Sequence, residues 1–302
     1  MVKIFVTGGT GWTGSHVVPE LLAHGHQITA IARSDATAKK LEDQGVTVLR
    51  GSLEDLDVLS KGAAGADAVI HMGYIHDFTQ YGKKSADVDL AAIRALATPL
   101  EGTNKLLVVT SGTGSTFTPR PLETQAAVDL PVNPRGRGEV LALSFVEKGV
   151  RVINVRLPFT VHGPGDIGFV KLLVNAAKEK GFSAYVDEGE NVWPAVHVND
   201  AARLFRLAVE TPASRFPSSG LALHGVGDEG IPTKEIARKI GEKLGVETKS
   251  IPKAEAIAHF GFVGMIFGLG CNPSRALTTE WTGWEPKEVG LLEDLETGTY
   301  FD

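Results

Sequence analysis

Short apolar runs alternate with amphipathic stretches between Lys3 and Leu157. The runs are rich in Val, Ile and Leu, as strands buried on both faces of a sheet must be, and they lie at Lys3–Val6, Gln27–Ala32, Val46–Leu49, Ala68–His71, Leu106–Thr110 and Arg151–Leu157. Helical patterns separate them, among them Ser15–His24, Ala36–Gln44 and Glu139–Lys148. This alternation predicts an α/β fold of the doubly wound type, in which helices cover both faces of a parallel sheet.

The regular alternation of strand and helix patterns ends after Leu157. The later patterns predict helices and strands at Phe169–Lys180, Ala184–Val186, Leu221–His224 and Pro232–Leu244. We therefore predict two domains. The first comprises residues 1–165 and is completed by residues 195–225; the second, smaller α/β domain comprises residues 166–194 and 226–302.

Composition excludes several classes of protein. The 302 residues include 36 acidic and 30 basic ones, and this balance argues against a general nucleic-acid binder, which needs basic residues to neutralise phosphates. The single cysteine, Cys271, cannot form an internal disulfide or a thiolate zinc cluster, so we expect a reducing, cytoplasmic setting and no metal.

No membrane partner or targeting segment is expected. The longest apolar stretch, Phe260–Gly270, is well short of the ~20 residues that span a bilayer. It predicts a buried or interface helix broken by glycine, or an apolar wall or lid over a substrate pocket.

A glycine-rich loop follows the first predicted strand. Gly8, Gly11 and Gly14 are spaced as G-x-x-G-x-x-G, directly before a predicted helix. Such glycines make the tight turn, let the backbone approach a pyrophosphate, and let helix and strand pack closely. The helix N-terminus then offers N–H groups and a positive dipole end to the phosphates. The loop predicts a dinucleotide site in the first domain.

The end of the second strand bears on the choice of dinucleotide. Arg33 and Ser34 stand there, and a guanidinium suits a ribose 2′-phosphate. Asp35 is expected to cap the following helix instead of binding a ribose hydroxyl. We therefore expect NADP(H) in preference to NAD(H), with a surface charge as the alternative role for Arg33.

Several segments resemble motifs of the extended and atypical short-chain dehydrogenase/reductase superfamily, in its epimerase/dehydratase-like branch. They are Gly8–Gly14, Gly51–Asp55, Ile70–Gly73, Val109–Thr113, Arg156–Gly165 and Trp193–Ala202. The resemblance implies a Rossmann-type fold, a nicotinamide cofactor, a small-molecule substrate and pairing of helices into a homodimer. With the loop argument, it assigns cofactor contacts to Gly8, Thr10, Gly11, Trp12, Thr13, Gly14, Arg33, Ser34, Ser52, Leu53, Met72, Gly73, Thr110, Arg135 and Pro158.

The Tyr-x-x-x-Lys pair of that superfamily is missing. Aligning Glu139 with the glutamate that usually follows the lysine puts Arg135 at the lysine and Pro131 at the tyrosine. Gly112 falls at the usual catalytic hydroxyl, with Ser111 and Thr113 on either side. Arg135 is a fixed cation that can bind ribose hydroxyls but is a poor proton donor.

Other residues must then supply the proton chemistry. Tyr74 is a candidate donor because it follows the fourth strand, on the cofactor edge of the sheet. His76 and Asp77 lie in the same loop and form a candidate donor pair. The candidate catalytic set is Thr113, Ser111, Tyr74 and Arg135, and the candidate substrate contacts are His76, His162, Tyr185 and Trp193. The other two tyrosines of the chain are Tyr81 and Tyr300, of which Tyr300, near the C-terminus, is the weakest candidate. For each of them, packing or capping is the alternative role.

These observations predict an NADPH-dependent oxidoreductase that reduces a carbonyl, or oxidises an alcohol, of a small apolar or aromatic substrate. The alternatives are a non-redox epimerase, isomerase or lyase on the same fold, and an NADP-binding regulatory module. Loss of Tyr-x-x-x-Lys favours the alternatives.

Overall fold

The computed structural model describes residues 1–76, 83–130 and 133–301. The strands are β1 (Lys3–Thr7), β2 (Gln27–Ala32), β3 (Thr47–Arg50), β4 (Ala68–His71), β5 (Leu106–Gly112), β6 (Arg151–Leu157), β7 (Thr160–His162), β8 (Ser183–Val186), β9 (Val192–His197), β10 (Gly220–His224), β11 (Asp228–Pro232) and β12 (Thr248–Ile251). The helices are α1 (Gly14–Ala23), α2 (Asp35–Glu42), α3 (Leu56–Ala64), α4 (Lys83–Ala97), α5 (Pro134–Leu143), α6 (Phe169–Lys180), α7 (Val198–Glu210), α8 (Thr233–Leu244), α9 (Ala256–Phe260), α10 (Gly264–Phe267), α11 (Ala276–Thr282) and α12 (Leu291–Thr297).

A seven-stranded sheet forms the centre of the molecule. Its order is β10-β6-β5-β4-β1-β2-β3, and all its neighbouring strands pair in parallel. The predicted doubly wound α/β fold is confirmed. The chain reverses its direction of travel between β1 and β4, and the carboxyl ends of strands at such a switch point form the crevice where α/β proteins bind ligands.

Apolar side chains cover both faces of this sheet. Residues of α1, α2 and α7, such as Leu21, Leu41 and Phe205, pack on one face. Residues of α3, α4 and α5, such as Leu59 and Ile93, pack on the other. Burial on both faces explains why the strands read as continuous apolar runs.

A separate core unites the later elements. It contains residues of α6, β8, β9, α8 and α12. Two small sheets accompany it: β9 pairs with β7 in parallel and with β11 in antiparallel fashion, and β12 pairs with β8. The domain boundaries given above stay a prediction.

The segment Phe260–Gly270 contributes to this second core. Phe260, Val263 and Phe267 are buried there, whereas Met265 and Leu269 are exposed. Glycines interrupt the helical path, so the segment forms α9, a single 3-10 turn and α10. Across the residues described, the helices are all too short or too polar to pass through a membrane.

The fifth helix differs from its prediction. We expected Glu139–Lys148, but α5 begins at Pro134 and ends at Leu143. The Asn133 side chain accepts a hydrogen bond from the Gly136 N–H, and proline suits the first helical position. The Asn-Pro start signal was present in the sequence, and the shift places Arg135 in the first turn of the helix.

Candidate nucleotide site and active site

The glycine-rich loop joins β1 to α1 in a tight turn. Gly8 has a φ of +74°, and a Cβ atom there would lie 2.6 Å from the Gly73 nitrogen. A Cβ on Gly14 would lie 2.0 Å from the Gly8 carbonyl oxygen. Both positions therefore require glycine, because the backbone approaches too closely for a side chain.

The loop also leaves donors for an anion. In the described part of the chain, the N–H groups of Trp12, Thr13 and Gly14 find no acceptor, and Thr13 provides no side-chain cap for α1. A Cβ on Gly11 would meet only the Gly8 oxygen, at 3.3 Å. Unpartnered N–H groups at a helix N-terminus beside open backbone fit the pyrophosphate of a dinucleotide.

Trp12 turns its indole away from those donors. Its Nε1–H donates to the Val161 carbonyl in β7, at 2.7 Å, and its ring meets His16 edge-on. The side chain thus fastens the loop to β7, whereas Thr10, half-buried, makes no side-chain hydrogen bond to the residues described.

The carboxyl ends of β2 and β3 lie side by side at the same edge of the sheet. Ser34, and not Asp35 as expected, is the N-cap of α2; its hydroxyl accepts from the Thr37 N–H at 3.2 Å. The hydroxyl is thus partly committed to capping, while Arg33 is exposed.

Ser52 and Leu53 follow β3. Ser52 donates its hydroxyl hydrogen to Asp55, at 2.7 Å, and this contact lowers the pKa of the Asp55 carboxyl. Leu53 packs against Gly73, and it lines a cavity of about 490 Å³ together with Glu54, Leu56, Lys84, Asp87, Val88 and Ala91. The lining therefore combines four apolar side chains with the charged side chains of Glu54, Lys84 and Asp87.

Three predicted site residues meet beyond the carboxyl end of β4. The Arg135 guanidinium carbon lies 4.3 Å from the centre of the Tyr74 ring, and the Tyr74 and His76 rings lie 5.3 Å apart, edge to face. The pKa of His76 is lowered by desolvation among neighbouring atoms and by the charge of Arg135, although part of its surface is exposed. Its imidazole is therefore neutral near pH 7. Asp77, Tyr81 and Pro131 lie outside the described residues.

A line of buried polar side chains continues inward from Arg135. Arg135 Nη1 is 3.8 Å from Asp89 Oδ1 in α4, and the same oxygen is 3.1 Å from His71 Nε2. His71 Nδ1 is in turn 2.7 Å from Thr7 Oγ1 at the end of β1. Asp89 and His71 are almost fully buried, so each depends on these partners for its polar contacts.

Sequence reasoning missed three members of this line: Thr7, His71 and Asp89. Thr7 ends β1 and His71 ends β4. Because the carboxyl ends of these parallel strands meet at one edge of the sheet, the sequence could have placed both side chains near the predicted site. The sequence gives no such indication for Asp89, because its contacts depend on how α4 packs against α5.

The hydroxyls at the end of β5 and in the turn that follows it are engaged with other protein groups. Thr110 donates to the His71 carbonyl at 3.0 Å. Ser111 shares a hydrogen bond with Ser115, at 2.9 Å, and Thr113 has the Cys271 thiol 3.7 Å away. Ser111 and Thr113 are buried. These contacts order the turn after β5, and the predicted direct contact of Ser111 and Thr113 with a substrate stays a prediction.

Pro158 and Met72 each follow a strand at the carboxyl edge of the sheet. Pro158 directly follows β6 and is buried, whereas Met72 follows β4 and is half-buried. Their predicted contacts with a cofactor stay predictions, and of the two only Met72 has appreciable exposed surface.

The predicted substrate contacts of the second half lie elsewhere. Trp193 is fully buried and donates to Thr160 Oγ1 at 2.8 Å, and His162 is fully buried beside Asp294, with Nδ1 and Oδ2 2.8 Å apart. Tyr185 lies in β8 against the start of α8. Trp193 packs within the second core, and His162 is buried beside Asp294. The predicted substrate contacts of Trp193, His162 and Tyr185 stay predictions.

Known sequences are similar to this chain over most of its length. The family model described as "NAD dependent epimerase/dehydratase family" matches residues 4–218. An uncharacterized protein of Schizosaccharomyces pombe is 43% identical over 301 residues, which cover 99% of this chain and 100% of that one. A 2-alkyl-3-oxoalkanoate reductase of Stenotrophomonas maltophilia is 26% identical over 260 residues, 81% of this chain and 76% of the other.

One solved structure illustrates the shared architecture. MoeE5, in complex with UDP-glucuronic acid and NAD, superposes with a TM-score of 0.75 at 22% identity, over 98% of this chain and 97% of that one. The two proteins have the same fold, and the neighbour uses a nicotinamide cofactor.

Proposed function

Because this chain belongs to the NAD dependent epimerase/dehydratase family, we propose that it is an NADP(H)-dependent oxidoreductase that reduces the carbonyl group of a small apolar or aromatic substrate, or oxidises the corresponding alcohol. One observation carries the proposal: Arg135 lies over the ring of Tyr74, a phenol beside the carboxyl end of β4. A phenol can protonate a nascent alkoxide, and a fixed cation beside it stabilises the phenolate that remains.

The nucleotide would bind along the carboxyl edge of the sheet. The N–H groups of Trp12, Thr13 and Gly14 would hold the pyrophosphate, and Leu53 would face the adenine. Arg33 supports the 2′-phosphate form, because it is an exposed cation at the end of β2. When bound, the dinucleotide supplies or accepts the hydride.

Tyr74 would provide the proton. Its hydroxyl donates to the carbonyl oxygen as that oxygen gains negative charge, and the phenolate that remains is stabilised by the Arg135 cation. The neutral, partly exposed imidazole of His76, in contact with the same ring, would return a proton from water. In alcohol oxidation the same proton moves in the opposite direction.

Asp89 keeps Arg135 in place. Its buried carboxylate faces the guanidinium on one side and His71 on the other. An arginine cannot lose its proton, so it serves as a permanent charge.

Apolar surface near the crevice supports an apolar substrate. Phe117 follows the turn after β5, is 57% exposed and adopts a φ of +53°. Backbone hydrogen bonds from Asn272 to Pro119 and from Ser274 to Pro121 bring the end of the glycine-rich apolar segment beside it. Leu122, in the same loop as Phe117, and Leu269, at the end of the apolar segment Phe260–Gly270, are also exposed. The similarity to a reductase of 2-alkyl-3-oxoalkanoates supports a carbonyl compound with an alkyl chain.

The direct test is NADPH consumption with a panel of ketones and aldehydes that includes a 2-alkyl-3-oxo acid. We expect Tyr74→Phe to lower kcat more than tenfold, about 1.4 kcal/mol or more, and Arg135→Lys to keep more activity than Arg135→Gln. Tyr185→Phe is the comparison variant, because Tyr185 in β8 is another predicted site phenol; a loss as large as that of Tyr74→Phe would argue against Tyr74 as the particular donor.

The family also contains non-redox enzymes, and the same assay separates them. Conversion of a substrate without net change in NADPH would support an epimerase, isomerase or lyase. Tight nucleotide binding with neither net reduction nor conversion would leave the regulatory module. Full activity of Tyr74→Phe would remove the assignment of the proton donor.

We also propose that the protein acts in the cytoplasm as a homodimer built from the two predicted domains. Light scattering of the purified chain tests the dimer, and limited proteolysis tests the boundaries near residues 165 and 195.

A further inference from the structure

Three charged side chains gather where β2 and β3 end. Arg33 and Asp35 follow β2, and Arg50 is the last residue of β3. Ala32 pairs with Arg50 in the parallel register, and the Gly51 N–H donates to the Ala32 carbonyl at 3.1 Å. The two strands therefore end at the same level, and all three side chains lie at the adenosine end of the crevice.

Arg50 reaches across from β3 to the chain that follows β2. Its Nη1 donates to the Ser34 carbonyl at 2.8 Å, and its Nη2 donates to Asp35 Oδ1 at 2.6 Å. The sequence points to Arg33 and Ser34 for the 2′-phosphate. The structure adds a second guanidinium, that of Arg50, at the chain directly after Arg33, and it shows the Ser34 hydroxyl engaged in capping α2.

The ion pair of Arg50 with Asp35 is open to exchange. The Asp35 side chain is fully exposed, and the Arg50 side chain is 47% exposed. Exposed ion pairs contribute little to stability, and releasing Asp35 to water leaves no buried charge unpaired. A phosphate monoester carries a charge of about −2 near neutral pH and accepts the fork of a guanidinium better than one carboxylate does.

We propose, resting on the nucleotide site proposed above, that Arg50 is a second ligand of the ribose 2′-phosphate and that Asp35 is its counter-ion when no phosphate is bound. The ligand class is an adenosine nucleotide with a 2′-phosphomonoester. Asp35 then acts against that phosphate, because its carboxylate competes for Arg50 and repels the incoming anion. The Arg50–Asp35 pair thus sets how strongly the chain prefers NADP(H) to NAD(H).

Binding of 2′,5′-ADP and 5′-AMP, measured by calorimetry, isolates the 2′-phosphate from catalysis. We expect Arg50→Gln to weaken 2′,5′-ADP about tenfold or more and to leave 5′-AMP within about twofold. Asp35→Asn should strengthen 2′,5′-ADP severalfold, and Arg50→Lys, which keeps the charge but loses the fork, should fall between Arg50→Gln and wild type.

Lys40→Gln is the matched control. It removes one positive charge from the exposed side of α2, where Lys40 makes no side-chain contact with the described residues. It reports the general electrostatic effect of losing a cation near the site. Circular dichroism of each variant checks that the exposed substitutions leave the fold intact.

The outcomes separate this inference from the proposed function. If Arg50→Gln weakens 2′,5′-ADP no more than Lys40→Gln does, while NADPH still binds wild type, the role of Arg50 is overturned and the oxidoreductase proposal stands. Equal binding of 2′,5′-ADP and 5′-AMP by wild type overturns both this inference and the preference for NADP(H). Failure of wild type to bind either NADPH or NADH overturns the proposed function itself, and this inference with it.

Discussion

His224 ties the stability of the fold to pH. It ends β10, is fully buried, and has Nδ1 2.6 Å from the Ser274 carbonyl and Nε2 3.3 Å from Arg156 Nη1. Nδ1 thus carries the hydrogen and Nε2 accepts from the guanidinium. Burial, and then the charge of Arg156, lower the pKa of His224 from 6.5 to about 3.

Whether the fold gains or loses stability as the pH falls depends on whether the folded or the unfolded chain protonates His224 at the higher pH. As the pH falls below 6.5, the unfolded chain protonates this imidazole, whereas the folded chain does so only near pH 3. Stability contributed by neutral His224 is therefore complete above pH 6.5 and is lost between about 6.5 and 3. From pH 7 to pH 5 this one group lowers the free energy of unfolding by about 2 kcal/mol, at about 1.36 kcal/mol per pKa unit.

Urea unfolding at pH 7 and pH 5 measures this quantity. Replacing His224 with glutamine removes the titrating group, so the loss of stability between the two pH values should be about 2 kcal/mol smaller than in wild type. His24→Gln, which removes an imidazole whose side chain is 43% exposed, serves as the control. If His224→Gln shows the same pH dependence as wild type, the reasoning about burial and Arg156 fails.

Three further predictions concern the loop, the interior and the site. Gly14→Ala should lower the free energy of unfolding by about 1–3 kcal/mol and weaken nucleotide binding, because its Cβ would meet the loop backbone at 2.0 Å. Gly65→Ala is the control, because the nearest atom to its Cβ would lie at 3.7 Å. Thermal unfolding and calorimetry should show neither effect for Gly65→Ala. Arg156→Leu should destabilise the fold by about 3–5 kcal/mol, because Glu139 would stay buried without its cation. In denaturant titrations, adding Glu139→Leu should restore part of the lost stability. If the double variant is no more stable than Arg156→Leu, the ion-pair argument is contradicted. Asp89→Asn keeps an oxygen for His71 but loses the negative charge that faces the Arg135 guanidinium. We therefore expect kcat to fall about fivefold, roughly 1 kcal/mol, with KM little changed. A change in KM alone would argue against a positioning role for Asp89.

The central strands were predictable because they are buried on both faces. β2 and β6 coincide with their predictions, and β1 and β5 extend beyond theirs by one and two residues. A strand that is buried on both faces has apolar residues at successive positions, and this continuous run is visible in the local sequence. The error at α5 has a different origin: its first turn, with Arg135, Gly136 and Gly138, carries little apolar periodicity, and the Asn133 cap signal was not weighed.

The site was predictable only as far as strand ends dictate it. Tyr74 and His76 share one loop, which follows β4 at the carboxyl edge of the sheet as the sequence pattern indicates; that a ligand binds there stays a prediction. Trp193 and His162 fall in motifs that resemble a substrate-facing region, yet the packing of α12 and the aromatic cluster around β9 buries them. Such burial depends on contacts more than a hundred residues apart, as between His162 and Asp294, and no local pattern reveals them.

The pairing of Tyr74 with Arg135 also bears on the missing Tyr-x-x-x-Lys. In a parallel sheet the loop after β4 and the first turn of the helix after β5 stand next to each other, because β4 and β5 are neighbours. A phenol can therefore approach the same space from either element. If the cation stays on α5 while the phenol moves to the loop after β4, the lost tyrosine costs the chemistry little. Under this view the double variant Tyr74→Phe/Arg135→Gln should be barely slower than Tyr74→Phe alone, since the cation then has no phenolate to stabilise. Additive losses in kcat would show instead that the two residues act separately.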